Sequence, residues 1–594
     1  SVIEASAAAA AAGAVLSDAR GTCIKTVEIP EEIDVNGVEP RVGVFVCNCG
    51  INIAGVVDVK AVEEYARTIP GVVFSTQNLF TCSQDSQNSM KEIIKENRLN
   101  RIVVAACTPK THEGIFMDTL ESCGLNKYLF EMANIRNQNS WPHSNEPEVA
   151  TEKAKDLVRM AIARAKELSP LHEKIIPVNA RALVIGGGVS GMNAALNLAD
   201  QGFETVLIEK ESHLGGMANR LTETIEGKNI GIYLEELIRK INMHPKIEVL
   251  HTSLVVGFSG FKGNFTTEIL VGPGMYERKI NHGAVILATG ANEYQPKEFL
   301  YGEDKRVITQ VALSQQLEEK GADELNRVVM IQCVGSRNDE NPNCSRICCQ
   351  AAIKNALHIK KLNPDTEVFI LYRDIRTYGL LEDYYTEARK LGVIFSRYSA
   401  DNPPRVSVEE GEIFVTFTDH VLNCDLKADA DLLVLSAGMV AEDTEELASI
   451  VKLARNAEGF FMEAHVKLRP VDMATEGIFI CGTAHSPKLL SESIAQAQAA
   501  AARAATFLSK SNLTLSAVVA EVDGDKCASC LICVRSCPYN VPRINKDGVS
   551  EIDMALCHGC GICASECPAK AIELNWYEDD QLLSKVEALL EGVL

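Results

Sequence analysis

Two runs of cysteine close to the C-terminus have the spacing of iron–sulfur cluster ligands. The pattern C-x2-C-x2-C-x3-C-P begins at Cys527 and recurs at Cys557. In paired runs of this kind the fourth cysteine of each run ligates the other cluster, because the chain crosses between the two sites. We therefore predict two electron-carrying [4Fe–4S] clusters, with two structural zinc sites as the alternative. The predicted ligands are Cys527, Cys530, Cys533 and Cys567 for one cluster and Cys537, Cys557, Cys560 and Cys563 for the other.

A glycine-rich turn further upstream has the pattern of a dinucleotide site. The strand RALVI leads into Gly186-x-Gly188-x-x-Gly191, and a helical pattern follows. The next strand, ETVLIEK, contains Glu209, which can accept hydrogen bonds from a ribose while the pyrophosphate lies on the helix N-terminus. These features predict a Rossmann-type site; a Rossmann unit without a ligand is the alternative. The predicted binding residues are Gly186, Gly187, Gly188, Ser190, Gly191, Glu209 and Lys210.

Three further stretches resemble the FAD domain of two-dinucleotide-binding flavoproteins such as thioredoxin reductase. They are ESHLGGM after the acidic strand, the strand AVILATG, and TEGIFICGTA, which is similar to the closing flavin motif. The closing motif departs at Thr483, where those enzymes usually have aspartate, so a different contact to the ribityl or phosphate region is expected. The resemblance implies FAD, with further contacts from Gly215, Gly216, Met217, Ala288, Thr289, Gly290, Gly482 and Thr483.

The loop CVGSRNDENPNCSRICC lies where such flavoproteins carry their NAD(P) loop. It follows the strand RVVMIQ and precedes a predicted helix and the strand EVFILYRD, but its one glycine, Gly335, cannot form a G-x-G-x-x-G turn. Thiolates at a helix N-terminus, where the dipole favours negative charge, predict a third [4Fe–4S] cluster. Inert core thiols or a disulfide between adjacent cysteines are the alternatives. The predicted ligands are Cys333, Cys344, Cys348 and Cys349.

Residues 41–150 contain a less regular set of cysteines at predicted strand ends and loops. They predict one more cluster, with Cys123 as a replacement ligand, and a small α/β domain with buried free thiols is the alternative. The isolated Cys23, Cys424 and Cys481 are interpreted as small core residues. The predicted ligands of this fourth cluster are Cys47, Cys49, Cys82 and Cys107.

Taken together, these motifs resemble the A subunits of heterodisulfide reductases over residues 41–580. The N-terminal stretches RVGVFVCNCGINIAGVVDV, NRIVVAACTPKTHE and GLNKYLFEMANIRNQNSWPH add to the resemblance. It implies a flavin that splits electron pairs, sending one electron toward a disulfide and one to ferredoxin. It also implies partner proteins, because the heterodisulfide-cleaving clusters belong to a different polypeptide of the complex, together with an electron-donating dehydrogenase or hydrogenase. A homodimer is a further expectation.

Several positions bear on how the flavin would work. Lys354 lies in a CC-x4-K pattern whose family lysine hydrogen-bonds the isoalloxazine N5, which implies the same role here; a surface lysine is the alternative. Relatives often insert another ferredoxin unit after the Gly-Gly turn, place acids near Thr309 and carry a cysteine at Asn139, and this chain has none of these. A non-bifurcating relay and scaffold within a larger reductase is therefore the alternative function. An NAD(P)H:ferredoxin oxidoreductase is a third, which the missing glycine loop disfavours.

Composition sets the broader frame. With 594 residues the chain has room for about three or four domains, and a net charge of −22 argues against nucleic-acid binding. No apolar run is long enough for a membrane span, and residues 1–20 lack the basic segment of a secretory signal. Most of the 20 cysteines are grouped as metal ligands, which indicates a reducing compartment, so we expect a cytoplasmic protein.

The predicted fold class is α/β: a two-lobed Rossmann-type flavoprotein between an N-terminal α/β cluster domain and a C-terminal two-cluster ferredoxin domain. Residues 1–40 are interpreted as a helix and linker; their similarity to residues 491–522 suggests the tail of a preceding flavoprotein module, with chance similarity of alanine-rich helices as the alternative. The predicted segments that follow are 41–150 (N-terminal iron–sulfur), 151–180 (helical linker), 181–300 (first FAD part), 301–440 (second lobe with the cluster loop), 441–515 (closing FAD part) and 516–594 (ferredoxin).

Overall fold

The computed structural model describes residues 1–24 and 28–591. It divides into two compact units: unit 1 comprises Ser1–Cys23 and Pro177–Leu513, and unit 2 comprises Ile24–Ile176 and Thr514–Leu594. The predicted helix and linker of residues 1–40 include positions 25–27, which lie outside the described residues. None of the helices in the described part combines the length and the apolar character that crossing a lipid bilayer requires.

The α-helices are α1 (Val2–Val15), α2 (Val59–Thr68), α3 (Gln84–Glu96), α4 (Pro109–Glu121), α5 (Pro147–Glu167), α6 (Val189–Asp200), α7 (Ile230–Met243), α8 (Gln310–Lys320), α9 (Cys348–Leu362), α10 (Glu382–Lys390), α11 (Glu445–Val451), α12 (Leu490–Leu508), α13 (Ile532–Ser536), α14 (Ile562–Ser565) and α15 (Asp579–Leu590).

The strands are β1 (Val42–Cys47), β2 (Val72–Asn78), β3 (Arg101–Ala106), β4 (Phe130–Asn134), β5 (Lys174–Pro177), β6 (Ala182–Ile185), β7 (Thr205–Ile208), β8 (Ile247–Leu250), β9 (Ser253–Phe261), β10 (Asn264–Val271), β11 (Tyr276–His282), β12 (Ala284–Leu287), β13 (Ala291–Glu293), β14 (Val307–Thr309), β15 (Arg327–Val334), β16 (Glu367–Tyr372), β17 (Ile394–Arg397), β18 (Arg405–Glu409), β19 (Glu412–Asp419), β20 (Cys424–Ala430), β21 (Leu432–Ala437), β22 (Met439–Ala441), β23 (Ile478–Ile480), β24 (Asn512–Leu515), β25 (Ala520–Val522), β26 (Arg543–Ile544), β27 (Ser550–Glu551) and β28 (Ile572–Leu574).

Unit 1 contains two lobes of the same design. In the first, a parallel sheet of order β23-β12-β6-β7-β8 accompanies an antiparallel sheet of order β11-β10-β9; in the second, β14-β21-β15-β16-β17 accompanies β18-β19-β20. The inner parallel strands are short apolar runs buried at every residue, as expected for a sheet covered on both faces. The antiparallel pair of β13 and β22 also belongs to this unit. This arrangement places the predicted NAD(P) loop position at the end of β15.

The N-terminal helix α1 belongs to unit 1. It packs against α12 and α6, burying Ala7 and Ala10, and the guanidinium of Arg20 lies 4.3 Å from the centroid of the Phe203 ring. Small alanine side chains on both helices permit this close packing. The two segments that resemble each other in sequence are therefore neighbours in the structure.

Unit 2 is built on a four-stranded parallel sheet of order β2-β1-β3-β4. Helix α5 packs on β3 and β4 and buries Ala154, Val158 and Ile162, so it is part of this core. The predicted helical linker of residues 151–180 is therefore not a linker over most of its length, because an apolar stripe at helical spacing covers the sheet. The ferredoxin part contributes two short antiparallel pairs, β25 with β28 and β26 with β27.

A buried ionic network joins distant parts of unit 2. The Arg164 guanidinium on α5 pairs with the Glu131 carboxylate on β4, and Lys585 Nζ on α15 lies 2.7 Å from the other Glu131 oxygen. Arg164 also donates to the Trp576 carbonyl, while the Trp576 indole N–H donates to the Tyr128 carbonyl at 2.9 Å. Because a buried charge is costly without partners, this network links α15 to the sheet.

We expect Arg164→Met to destabilise unit 2 by about 3 kcal/mol, because Glu131 would stay buried with only Lys585 as its partner. Both tryptophans of the chain, Trp141 and Trp576, lie in unit 2, so urea unfolding followed by tryptophan fluorescence reports this unit alone. The control is Lys60→Met in the exposed Lys60–Glu64 pair, which should change stability by less than about 1 kcal/mol. Equal effects of the two variants would contradict the prediction.

Candidate flavin and iron–sulfur sites

The predicted dinucleotide turn connects β6 to α6. Gly186 has a φ of +110°, which side chains rarely permit, and a Cβ on Gly191 would lie 1.8 Å from the Gly186 carbonyl oxygen. The Glu209 carboxylate accepts hydrogen bonds from the backbone N–H groups of Gly187 at 2.6 Å and Glu211 at 2.8 Å. The turn therefore requires glycine at these positions for its own packing. The Glu209 carboxylate is held next to the turn by these hydrogen bonds.

A cavity of about 630 Å³ opens beside this turn. A Cβ on Gly188 or Gly290 would meet no atom within 4 Å, so both backbones face open space. The Thr289 hydroxyl is buried and has no hydrogen-bond partner among the described residues. The phosphate and hydroxyl oxygens of a dinucleotide would satisfy this group, so the residues present fit FAD.

The structure brings most of the predicted FAD residues to this cavity. Gly187, Gly191 and Gly482 lie behind its wall instead, and a Cβ on Gly482 would approach Ser190 Oγ to 2.2 Å. These three glycines permit close packing rather than contact with a ligand. The predicted residues that line the cavity are Gly186, Gly188, Ser190, Glu209, Lys210, Gly215, Gly216, Met217, Ala288, Thr289, Gly290 and Thr483.

Sequence reasoning missed several polar residues of the same wall. Gln310 donates to Ser436 Oγ at 3.1 Å, and Glu293 is buried in an ion pair with Arg220 at 2.7 Å. Lys488 is the fourth residue after the closing motif, and this proximity is the one signal that could have singled it out. Four of the additional polar wall residues are Glu293, Gln310, Lys488 and Ser493.

Lys354 lies outside the cavity wall. Its Nζ donates to Ser314 Oγ at 2.7 Å and approaches the Glu223 carbonyl at 3.5 Å. The side chain is half-buried, and burial lowers the pKa of Lys354. The alternative of a surface lysine is therefore wrong, and contact between Lys354 and the flavin stays a prediction.

The cysteine loop between β15 and α9 has an unusual backbone. Cys333, Arg337 and Arg346 have φ values of +64°, +58° and +63°, a region that residues with a Cβ rarely adopt. A Cβ on Gly335 would lie 2.1 Å from the Tyr294 ring, so glycine is required there. Such strain is retained where a loop is constrained for a function.

The four thiols of this loop lie close to one another. Cys348 and Cys349 begin α9, and Cys348 lines the same cavity as Thr289 and Gly290. Burial raises the pKa of Cys348, and so do the neighbouring Cys349, Cys333 and Cys344; burial raises the pKa of Cys349 to about 11. Free thiols here would be neutral and unreactive, whereas iron would hold them as thiolates.

Neighbouring groups fit a charged cluster in this loop. Arg337 lies 3.9 Å from Cys333 Sγ and pairs with Asp374 at 2.7 Å. Both polar atoms of the Gln332 amide and the Gln350 amide oxygen are buried without partners in the described part of the chain. All 20 cysteines are free, so the alternative disulfide between Cys348 and Cys349 is not formed.

In the ferredoxin part, the eight cysteines line two separate cavities of about 20 Å³ each. Backbone N–H groups point at sulfur: Ser550 donates to Cys527 at 3.4 Å and Ala571 to Cys567 at 3.3 Å. One cavity brings together Cys527, Cys530, Cys533 and Cys567, and the other Cys537, Cys557, Cys560 and Cys563.

The N-terminal cysteines also converge. Cys47 Sγ accepts from the Thr81 N–H at 3.4 Å, next to Cys82, and burial followed by the charges of Cys47 and Cys49 raises the pKa of Cys82. Burial likewise raises the pKa of Cys107, with Cys47 and Cys49 adding to it and Arg136 opposing it. The Arg136 guanidinium lies 3.8 Å from Cys49 Sγ. Buried polar atoms without described partners surround them, namely Asn48 Oδ1, Asn78 Oδ1 and Thr81 Oγ1.

Cys123 is placed elsewhere. It is buried with its thiol 3.9 Å from the Lys91 carbonyl, and Lys95 and Lys91, not another cysteine, are the charges that act on its pKa. Asn139 is fully buried and donates to the Ala150 carbonyl at 2.7 Å. The structure therefore does not place Cys123 with the other four thiols.

This placement allows a matched test of the N-terminal cluster. We expect Cys82→Ser to lower the iron content of the purified protein by about four atoms per chain, because serine replaces a thiolate ligand. Cys123→Ser, also a buried thiol of unit 2, should leave the iron content unchanged. Iron analysis of the two proteins decides the matter, and the reverse result would make Cys123 the ligand.

The isolated cysteines differ from the prediction. Cys481 is fully buried in the core of unit 1, as predicted, but Cys23 and Cys424 are exposed. Cys23 lies in the turns that follow α1. Cys424 is the first residue of β20, which is an edge strand of the sheet β18-β19-β20. The interpretation of these two as core residues is wrong, because small side chains carry no burial signal at the ends of elements.

Two family models match parts of the chain. The model for pyridine nucleotide-disulphide oxidoreductases matches residues 177–331, and the model for the 4Fe-4S dicluster domain matches residues 526–572. These matches support FAD in the first segment and [4Fe–4S] clusters in the second. They confirm the α/β fold class with a ferredoxin domain at the C-terminus.

Curated relatives are similar over most of the chain. The second iron-sulfur A subunit of the CoB--CoM heterodisulfide reductase of Methanopyrus kandleri is 38% identical over 86% of this chain and 92% of its own length. The A subunit of the H(2):CoB-CoM heterodisulfide,ferredoxin reductase of Methanothermobacter thermautotrophicus is 36% identical over 93% and 98%. Among solved structures, thioredoxin reductase from Lactococcus lactis is 18% identical and aligns with a TM-score of 0.39 over 55% of this chain and 98% of its own.

Proposed function

Because the chain belongs to the A-subunit family of heterodisulfide reductases, we propose that this oxidoreductase splits electron pairs at FAD between two one-electron routes. The electron pair comes from a two-electron donor, one electron leaves toward a disulfide or similar acceptor, and the other reduces ferredoxin. Four [4Fe–4S] clusters carry the electrons. The proposed ligands of these clusters are the four cysteine sets described above.

One observation carries this proposal. Cys348 of the strained loop lines the same cavity as Thr289 and Gly290, so the loop that would hold a nicotinamide cofactor instead presents a thiol to the flavin cavity. FAD supplies the exchange between two-electron and one-electron chemistry. The chain holds it through the glycine turn and the Thr-Gly strand, and delivers electrons through the cysteine loop.

The proposed function requires partner subunits, because the relatives are named as A subunits of larger reductases. Helix α15 buries polar side chains and exposes apolar ones: Gln581 is 2% exposed, whereas Leu583 and Val586 are 56% and 51% exposed. An exposed apolar stripe of this kind marks a protein interaction site. The remaining apolar side chains of the stripe are Leu582, Leu589 and Leu590.

A second candidate function is a relay that passes single electrons without splitting pairs. The Gly-Gly turn leads directly into α7 without an inserted ferredoxin unit, and the first turn of α8 after Thr309 carries no acid. In both places the chain lacks a feature that the resemblance associates with bifurcation.

An anaerobic titration of the purified protein separates these functions. Flavin absorbance and EPR spectra are followed together with iron and FAD content. About 16 iron atoms and one FAD per chain, with a flavin radical signal that does not accumulate, is the expected result. A stable flavin radical at full iron content would favour the relay, and about 8 iron atoms would confine the clusters to the ferredoxin part. Hydride transfer from NADH to the isolated protein would establish the third function.

A further inference from the structure

Arg136 is a charged residue next to the N-terminal cysteines that the proposed function does not use. Its Nη1 lies 3.8 Å from Cys49 Sγ, which is within reach of an N–H···S contact. Burial raises the pKa of the Cys82 and Cys107 thiols, and the positive charge of Arg136 opposes that rise in both. The guanidinium therefore contacts one proposed ligand of the N-terminal cluster and acts on two others through its charge.

The backbone on both sides of this contact is locally constrained. Residues Arg136–Ser140 form a short π-helix after β4, a rare conformation that often occurs at functional sites. The Ser140 hydroxyl donates to the Asn52 carbonyl at 2.6 Å, which ties this segment to the loop that contains Cys49. Cys49 itself has a φ of +46°, in the left-handed region that a residue with a Cβ rarely adopts. The distance between the guanidinium and the sulfur is thus set by two segments that are joined to each other.

Neutral groups hold the Arg136 side chain in place. Its Nε donates to Asn137 Oδ1 at 3.2 Å, and the central carbon of the guanidinium lies 4.7 Å from the centroid of the Trp141 ring. An aromatic face attracts a cation but does not neutralise its charge. The half-buried guanidinium therefore keeps its full positive charge beside the sulfur.

The arginine of the other cysteine loop offers a comparison. Arg337 lies 3.9 Å from Cys333 Sγ, but it also pairs with the Asp374 carboxylate at 2.7 Å. Across residues 1–24 and 28–591, no carboxylate oxygen comes within 4.0 Å of the Arg136 nitrogens. The charge at the N-terminal cysteines is therefore uncompensated, whereas the charge at the other loop is balanced by a carboxylate.

A cation at this place changes the energy of an added electron. Four thiolate ligands make a [4Fe–4S] site negative, and one electron makes it more negative. A fixed positive charge beside a ligand sulfur therefore stabilises the reduced form more than the oxidised form. Net charge and hydrogen bonds to the sulfurs are among the factors that set the potential of such clusters.

We propose that Arg136, through its positive charge, raises the reduction potential of the N-terminal cluster. In this one-electron step the cluster gains an electron, which comes from the flavin in the proposed function and from dithionite in the test. No covalent bond forms or breaks, and Arg136 keeps its proton because a guanidinium stays charged in this range. This inference rests on the proposed function, which includes a cluster held by Cys47, Cys49, Cys82 and Cys107.

The test is a potentiometric titration of the purified full chain, followed by low-temperature EPR. The signal that is missing from the Cys82→Ser protein identifies the N-terminal cluster. At a fixed potential, Arg136→Met should lower the ratio of reduced to oxidised N-terminal cluster at least tenfold, which is a shift of at least about 59 mV for one electron. The signals of the other clusters should stay at their potentials. An unchanged potential of the N-terminal cluster in Arg136→Met would overturn the proposal.

Two further variants separate the charge from the hydrogen bond. Arg136→Lys keeps a positive charge on a long side chain, so its ratio should fall less than the ratio of Arg136→Met. Arg136→Gln keeps an N–H donor without the charge and should behave like Arg136→Met. If Arg136→Gln instead had the potential of the unmodified protein, the hydrogen bond alone would explain the effect and the proposed role of the charge would be wrong.

Arg98→Met is the matched control. Arg98 is exposed in unit 2 and precedes β3, so it lies at the opposite end of the parallel sheet from Cys47 and Cys107. Because solvent and salt screen a distant surface charge, the ratio should change by less than about twofold in this protein. An equal shift in Arg98→Met and Arg136→Met would contradict a specific role of Arg136.

A measurement that leaves Arg136 intact decides the matter if every Arg136 variant loses the cluster. It uses the Cys348→Ser protein, from which the cluster next to Arg337 should be absent, grown with ¹⁵N-labelled arginine. Pulsed EPR of the reduced N-terminal cluster should show coupling to a guanidinium nitrogen. The absence of this coupling would overturn the proposal, because the cation would then not lie beside the cluster.

Failure of the proposed function has a different signature. If the unmodified chain contains about 12 iron atoms and Cys82→Ser removes none of them, the N-terminal cluster does not exist and the proposed set of four clusters fails. If the cluster is present and Arg136→Met leaves its potential unchanged, only the role of Arg136 fails. Iron analysis therefore distinguishes the two failures before any titration.

Discussion

Cys348→Ser is expected to remove about four iron atoms per chain and to disconnect the flavin from its nearest cluster. Cys348 is the thiol of the strained loop that lines the flavin cavity, and it begins α9 beside Cys349. A serine at this position would replace a thiolate in a site whose other three thiols are arranged around it. The loss of iron should be larger than the loss that any single substitution of a surface residue causes.

Iron analysis and low-temperature EPR of the reduced protein measure the effect. We expect one set of cluster signals to disappear while the signals of the ferredoxin part persist, and the flavin to be reduced much more slowly by a one-electron donor. Cys424→Ser, an exposed and isolated thiol in the same unit, is the matched control and should keep its iron. Full iron content in the Cys348→Ser protein would favour the alternative that the four thiols of this loop are inert core residues.

Gly188→Ala is expected to weaken FAD binding without disturbing the apoprotein. A Cβ on Gly188 meets no protein atom within 4 Å and its φ of −71° suits any residue, so the fold itself has room for the methyl group. With FAD in place the methyl group would meet the pyrophosphate, because the second glycine of the turn allows its close approach. Overpacking of this kind costs about 1–3 kcal/mol, which raises the Kd about 5-fold to 150-fold.

Gly191→Ala offers a contrast at the same turn. Its Cβ would lie 1.8 Å from the Gly186 carbonyl oxygen, so this variant should damage the turn itself and lower the stability of unit 1. FAD titration of the apoprotein together with thermal unfolding distinguishes the two effects. Gly114→Ala, in α4 with no atom within 4 Å of its Cβ, should leave FAD binding unchanged and should not lower the unfolding temperature, because alanine favours the helix over glycine. An unchanged Kd in Gly188→Ala would contradict the proposed position of the pyrophosphate.

Short-range patterns carried most of what could be predicted. The α/β class, the Rossmann turn and the ferredoxin motif each lie in one short stretch, where the covalent chain itself keeps the residues near each other. Gly186 and Gly191 are an example: their separation along the chain is short enough that the strand–turn–helix geometry brings them into contact whatever surrounds them. The ligand sets built from such stretches stay predictions, and the structure brings their members together.

Long-range placement could not be read in the same way. Cys82 follows β2 and Cys123 follows α4, and only Cys82 joins Cys47 and Cys49, because the order β2-β1-β3-β4 decides which strand ends meet. Lys354 and Lys488 are likewise indistinguishable as single lysines in sequence. The side chain of one turns toward Ser314, while the other lines the cavity.

The sequence by itself therefore determined the kinds of cofactor and the local turns that receive them, because thiol spacing and glycine positions act within a few residues of one another. Only the tertiary structure decided that α5 covers a sheet instead of linking domains, that α15 turns its apolar face outward, and that Lys488 lines the flavin cavity. These features depend on contacts between residues far apart in the chain, from tens of positions for α5 with β3 and β4 to hundreds for Lys585 with Glu131. Such contacts form because charged groups and apolar surface are buried together across the whole fold, and a short stretch of sequence does not reveal them.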